Sequence, residues 1–188
     1  IFTATIAKDG YSETKDFTLK VKPGRQIAVN TGSVPSVSRV GDDLVIAYKD
    51  SSGSITVQTY ETASDTLSGG PIPDSSDATG SISVAAGFLG DIYVVATTAG
   101  STMNIYHFDG TTWTLSPSVL ASVASIGEVQ YYGEKIYFPV RSSSGLGAVY
   151  SYDTVNGILK IGADIASGVS NPSIYVENEN SIHCWYGM

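Results

Sequence analysis

The chain has 188 residues, 18 acidic against 10 basic, and a formal net charge of -8. This length suffices for one domain with a sizeable core, and the acidic balance argues against nucleic acid or an anionic membrane surface as a partner. The single cysteine excludes an internal disulfide, and no apolar run reaches the roughly 20 residues that span a bilayer. We expect no cofactor, no metal site and no membrane insertion.

The first 24 residues predict a β-hairpin. The stretch "IFTATIAKDG" partly alternates apolar and polar residues, and "YSETKDFTLKVK" does so again after a Gly turn. Two interpretations of this hairpin stay open, and both depend on the rest of the chain.

Residues 25–188 predict an all-β fold. Short runs rich in Val, Ile, Tyr and Thr, such as "DLVIAY", "DIYVVAT" and "KIYFPV", alternate with turns rich in Gly, Asp, Asn and Ser. Good helix formers never gather over three turns, so no helix is expected.

Two columns of residues indicate an internal repeat. The first opens an apolar strand after a polar turn, at spacings of 48, 44 and 46: Leu44, Ile92, Ile136 and Ile182. The second closes the following strand with an aromatic and an acid, at spacings of 48 and 44: Tyr60-Glu61, Phe108-Asp109 and Tyr152-Asp153. Both columns step in the same order, and this agreement indicates a true repeat.

Each unit divides into four strands; the third, for example, gives "GEVQYY", "KIYFPVR", "GAVYSYD" and "GILKIG". Four strands recurring every 44 to 48 residues resemble the blades of a β-propeller. The resemblance predicts an all-β, β-propeller-like fold, with a hairpin over 1–24 and blades over 33–80, 81–123, 124–170 and, incomplete, 171–188.

The hairpin could complete the last blade and close a four-bladed ring. Alternatively, it resembles the last two strands of the bacterial immunoglobulin-like domains of surface proteins, on the residues Thr3, Ala4, Thr5, Ile6, Lys8, Gly10, Thr14, Lys15, Phe17, Leu19 and Val21. That resemblance implies a piece of a larger surface protein, in which "KPGRQIAVNTGS" is a linker.

Little in the sequence predicts catalysis. Asp109 has counterparts at Glu61 and Asp153, so we expect it to organise a turn. His107 is expected to be a hydrogen-bonded structural residue, and metal-ligand spacing and nucleophile motifs are absent. Whether the chain is an enzyme stays uncertain, and a negative answer is favoured.

The candidate binding residues are polar groups on loops between second and third strands, and aromatic rings suited to stacking on sugars: Asp50, Arg141, Tyr131, Tyr132 and Trp185. We expect a non-catalytic, extracellular or cell-surface binding or adhesion module of a bacterial protein, with a glycan or protein ligand. The alternatives are part of a glycoside hydrolase or lyase propeller, or a structural spacer. Self-association through exposed strand edges is a further expectation.

Overall fold

The computed structural model describes residues 2–8, 11–17, 35–87, 90–116, 120–165 and 170–187. The strands in these ranges form five antiparallel sheets. No helix in this part of the chain is long and apolar enough to cross a membrane.

The first and last sheets contain two strands each. In the first, β1 (Phe2–Lys8) pairs with β2 (Tyr11–Phe17), and in the last, β16 (Ser170–Asn178) pairs with β17 (Ser181–Gly187). Among the described strands, the two hairpins form separate sheets with no ladder between them. The described structure therefore does not contain the closed four-bladed ring. The predicted linker and the boundary at residue 24 lie outside the described residues.

Blades 1 and 2 are four-stranded sheets whose strands follow chain order from the inner to the outer edge. Blade 1 comprises β3 (Ser36–Val40), β4 (Asp43–Lys49), β5 (Ile55–Glu61) and β6 (Thr66–Pro71). Blade 2 comprises β7 (Ala78–Ala86), β8 (Ile92–Thr98), β9 (Met103–Phe108) and β10 (Trp113–Leu115). The predicted repeat of four strands is therefore confirmed for these two units.

Blade 3 has a divided inner strand. It comprises β11 (Val123–Ile126), β12 (Gln130–Tyr132), β13 (Lys135–Ser142), β14 (Gly147–Asp153) and β15 (Gly157–Ile165). The strand predicted over "GEVQYY" is found only at Gln130–Tyr132, and β11 precedes it as a separate segment that also pairs with β13. The ladder breaks opposite Pro139, whose carbonyl accepts the Gly127 N–H at 3.0 Å but whose nitrogen has no hydrogen to return.

The two repeat columns are paired residues of neighbouring strands. Leu44 lies opposite Tyr60, Ile92 opposite Phe108 and Ile136 opposite Tyr152. Because the register is the same in each blade, the residues beside these columns are also equivalent between blades.

Apolar layers join consecutive blades. Val45, Ala47 and Val57 of blade 1 pack against Val84 and Val94 of blade 2. Similar layers join blade 2 to blade 3 and blade 3 to the β16–β17 hairpin. Trp113 of the outermost strand of blade 2 packs against the first of these layers. Each sheet thus buries a face that it could not bury alone.

Polar side chains fasten the inner strands of adjacent blades. The hydroxyl oxygens of Ser36 and Ser83 accept backbone N–H groups of the following blade, from Val84 at 3.0 Å and Val129 at 2.9 Å. The Gln130 amide accepts the Val176 N–H at 2.9 Å, and it donates to the Ile174 carbonyl at 2.9 Å. These partners lie 44 to 48 residues apart, so the contacts follow the repeat.

Candidate functional site

The acidic turns at the ends of the third strands are structural. The Asp109 carboxylate accepts the N–H groups of Thr111 and Thr112, each at 2.8 Å, and these bonds hold the pKa of Asp109 below its usual value. Asp153 accepts the N–H groups of Val155 at 2.9 Å and Asn156 at 2.6 Å. The predicted turn role of Asp109 is confirmed, because a carboxylate satisfies several donors of a tight turn at once.

A cleft of about 840 Å³ lies between blades 2 and 3. Blade 2 contributes Asp91, Tyr93 and His107, because Tyr93 lies opposite His107 in the β8–β9 ladder. Blade 3 contributes two loops, one between β12 and β13 and one between β14 and β15; their lining residues are Tyr131, Tyr132, Gly133, Glu134, Lys135, Asp153, Thr154, Val155 and Asn156.

Three stacked aromatic rings form the inner part of this cleft. The Tyr93 and His107 rings are 4.3 Å apart and 12° from parallel, and the Tyr131 ring lies 6.0 Å from Tyr93. The His107 Nε2 is 3.1 Å from the Asp91 carboxylate, which confirms its prediction as a hydrogen-bonded residue. Tyr93 is buried, Tyr131 half-buried and Tyr132 exposed, so the stack opens towards solvent.

Gly87 makes room for the Tyr131 ring. A Cβ at this position would lie 2.5 to 2.8 Å from three ring carbons of Tyr131, well inside van der Waals contact. The close approach of ring to backbone therefore requires glycine here.

A two-residue turn carries the acidic lip of the cleft. Gly133 and Glu134 join β12 to β13, and both have positive φ angles of 58° and 63°. This conformation matches the right-handed twist of the flanking strands. It places Glu134 beside Tyr131, at the entrance.

Two phenols in the cleft remain protonated over the ordinary pH range. Burial raises the pKa of Tyr93, and the Asp91 carboxylate raises it further. Burial, then Asp91 and Glu134, raise the pKa of Tyr131 in the same way. Both hydroxyls can therefore donate hydrogen bonds.

A second, larger groove of about 1160 Å³ runs along the inner strands of all the blades. Its lining is rich in Ser and Gly and includes Asp50 from the β4–β5 turn. Asp50 already accepts bonds from the Ser52 N–H at 2.8 Å, the Ser54 N–H at 3.1 Å and the Thr56 hydroxyl at 2.9 Å. The Ser52 hydroxyl, also bonded to it, contributes most to the lowering of the pKa of Asp50. The carboxylate thus organises its own turn.

The remaining candidates lie away from the cleft. Arg141 of β13 lies opposite Gly147 of β14. Its Nε is buried and has no hydrogen-bond partner among the described residues. Trp185 is 56% exposed on β17, in a row with His183 and Tyr175. The structure thus brings Tyr131 and Tyr132 together and leaves Asp50, Arg141 and Trp185 elsewhere.

Trp185 occupies a position that faces the following blade in the other units. The equivalent residue is Val95 in blade 2, which is fully buried against blade 3, and Pro139 in blade 3, which is also fully buried. Its neighbour His183 corresponds in the same way to the buried Tyr93 and Tyr137. Trp185 is thus exposed at a repeat position whose equivalents in blades 2 and 3 are buried.

The sequence interpretation missed Asp91, Tyr93 and Glu134, and it assigned His107 only a structural role. A signal was present, because Tyr93 follows the first repeat column and His107 precedes the second. The antiparallel pairing of Ile92 with Phe108 then sets these two rings side by side. Among the described residues, no three His, Cys, Asp or Glu side chains are close enough to hold a metal ion.

Several solved structures share this architecture. The SapL1 lectin in complex with alpha methyl fucoside has a TM-score of 0.60 and 18% identity, over 80% of this chain and 53% of its own. The six-bladed β-propeller lectin of Aleuria aurantia has a TM-score of 0.59 and 12% identity, over 84% of this chain and 58% of its own. AofleA from Arthrobotrys oligospora has a TM-score of 0.56 and 14% identity, over 93% of this chain and 54% of its own.

An α-L-arabinofuranosidase from Clostridium thermocellum has a TM-score of 0.50 and 17% identity, over 81% of this chain and 59% of its own. No protein-family model and no curated protein sequence matches the chain. At these identities the likeness shows the fold alone, and that fold is β-propeller-like. The chain spans about half the length of these similar structures.

Proposed function

We propose that this chain is a glycan-binding β-propeller module and that the sugar binds in the cleft between blades 2 and 3. The observation that carries the proposal is the Tyr93–His107–Tyr131 stack, which opens to solvent beside hydroxyl, amide and carboxylate groups. A sugar presents an apolar ring face and a rim of hydroxyls. Aromatic rings with a few convergent polar groups complement both surfaces.

The groove along the inner strands is a poorer glycan site. Ser36 and Ser83, which line it, are occupied with the backbone of the next blade, and Asp50 is occupied with its own turn. The residues that line this groove in the described part of the chain include no aromatic ring. A sugar bound there would lack an apolar partner for its ring face.

The fold supports the same proposal. Two of the similar proteins, SapL1 and the Aleuria aurantia protein, are lectins, and a similar structure of each is a complex with an α-methyl fucoside. An α-fucoside is therefore the first ligand to test. A fucoside also presents a methyl group and three hydroxyls, which suit a cleft with both aromatic and polar walls.

We extend the proposal to the setting of the module, which is an extracellular or cell-surface protein of a bacterium, with a role in adhesion. Support comes from the acidic composition, which is poor in charged residues at 15%, and from the resemblance of the 1–24 hairpin to immunoglobulin-like surface domains. Antibody labelling of intact bacteria tests this location. Labelling that requires permeabilised cells would contradict it.

A protein partner, or a second copy, is proposed to pair with the outer edge of β17. In the described structure this strand has a ladder partner only in β16, and an unpaired edge is a template for strand addition. Sedimentation across a range of concentrations tests self-association. A mass that stays monomeric throughout would contradict it.

The second candidate function is a fragment of a carbohydrate-active enzyme, which the arabinofuranosidase likeness favours. Glycoside hydrolysis needs a carboxylic acid with a raised pKa beside a second carboxylate. In the cleft, Asp91 is bonded to His107, and the Asn156 side chain and turn N–H groups lower the pKa of Asp153. Release of nitrophenol from a p-nitrophenyl α-L-arabinofuranoside would support the enzyme, and its absence with retained glycan binding would support the lectin.

The test of the glycan site combines a glycan array with calorimetry on methyl α-L-fucoside. The Tyr131→Ala variant should lose binding by about tenfold or more, because truncation removes the accessible ring of the stack. Trp185→Ala is the matched control, since Trp185 is an exposed aromatic residue outside the cleft. Loss of binding in Trp185→Ala with full binding in Tyr131→Ala would place the site on the β16–β17 hairpin instead.

A further inference from the structure

The cleft between blades 2 and 3 carries more negative than positive charge. Asp91, Glu134 and Asp153 line it, and among the described residues that line it Lys135 is the one lysine. Glu179 lies at the rim, next to Gly133. A Cβ on Gly133 would be only 3.0 Å from the Glu179 carboxylate. The excess of carboxylates sets the sign of the local potential.

The positive charge of Lys135 is partly neutralised by Glu179. The Lys135 Nζ is 3.9 Å from the Glu179 carboxylate, which comes from the turn between β16 and β17. An anion entering the cleft would compete with Glu179 for this ammonium group. It would also meet the carboxylate of Glu134, which lines the cleft together with Tyr131.

The two tyrosines respond to this charge. After burial, which is the largest cause, the Asp91 and Glu134 carboxylates raise the pKa of Tyr131. For Tyr93 the Asp91 carboxylate acts in the same direction. A field that opposes the phenolate form opposes any other anion held at the same place.

We infer that the cleft accepts uncharged sugars and discriminates against glycans that carry a carboxylate, sulfate or phosphate at the bound residue. The inference rests on the proposed function, because it assigns a ligand class to the same site. The net charge of -8 on the whole chain acts in the same direction on approaching ligands.

The test uses an array in which neutral glycans are printed beside their sialylated and sulfated forms. At low salt the neutral member of a bound pair should give about five times the signal of its anionic partner or more. This gap, the ratio of the neutral to the anionic signal, should narrow at about 1 M salt, because the screening length falls to roughly 3 Å. Glu134→Gln and Glu179→Gln should each narrow the gap at low salt, because each removes one repelling charge. Glu128→Gln, in the inner-strand groove, is the control variant and should leave the gap unchanged.

The outcomes separate the two proposals. Equal or stronger binding of the anionic partners at low salt would overturn the charge discrimination and leave glycan binding intact. A gap that persists in both Gln variants and at high salt would also overturn it, because size and not charge would then be discriminating. If no member of the array binds, the proposed function fails and the ligand class fails with it.

Discussion

Replacing Gly127 by alanine should separate the inner strands of blade 3 and the β16–β17 hairpin. A Cβ on Gly127 would overlap the carbonyl oxygen of Pro172, and it would lie 2.8 Å from the carbonyl carbon of Pro172 and from Cγ of Pro139. Two of these three atoms belong to backbone, which cannot rotate away as a side chain would. Overpacking typically costs 1–3 kcal/mol, and we expect about 3 kcal/mol here because the backbone must shift.

For a chain of this size, that loss lowers the midpoint of thermal unfolding by roughly 6–12 °C. The assay is circular dichroism during heating, with urea unfolding as a check. Gly70→Ala is the matched control, because a Cβ there meets nothing within 4 Å. A Gly127→Ala protein that melts within about 2 °C of Gly70→Ala would refute the packing of these two strands.

Three further substitutions test the cleft, the hydrogen bonds between adjacent blades and the acidic turns. Gly87→Ala should displace the Tyr131 ring and thereby weaken the binding of methyl α-L-fucoside. The midpoint of thermal unfolding should change little, because that ring is half-buried. An unchanged affinity in calorimetry would contradict the placement of Tyr131. Gln130→Ala should cost about 1–3 kcal/mol in urea unfolding, because it leaves the Val176 N–H and a buried carbonyl without partners. The pKa of Asp153 is lowered in the folded state, so its carboxylate stabilises the fold above the ordinary value of 3.8, and that stability is lost as the pH falls through the folded value. Asp153→Asn should therefore flatten acid unfolding below about pH 4, and an acid limb as steep as the unmodified protein's would contradict this.

The repeat columns explain why the blades could be predicted. Ile92 and Phe108 recur at the spacing of one blade, and in the structure they are paired residues of neighbouring strands. Alternation, turn residues and repetition are local or periodic properties, so they are visible in one dimension. The role of Asp109 was predictable for the same reason, since its partners are two and three residues away.

The binding candidates show the opposite case. Asp50 and Trp185 were chosen by residue type and loop position. In the structure Asp50 organises its own turn, and Trp185 lies exposed on the β16–β17 hairpin. Tyr131 was chosen as an aromatic ring suited to stacking on sugars, and it lines the cleft, but the partners that define that cleft, Asp91 and Tyr93, were missed. These partners lie on the preceding blade, about 40 residues earlier in the chain.

The sequence by itself determined the strands, the four-stranded units and the acidic turns, because each depends on alternation, on turn chemistry or on the period of the repeat. Only the tertiary structure decided three other features: the break of the inner strand opposite Pro139, the separate pairing of the two terminal hairpins, and the cleft between blades 2 and 3. These features depend on which faces and edges meet in space. A strand pattern states that a face is apolar or an edge is free, but the neighbour that covers it is set by the packing of whole sheets.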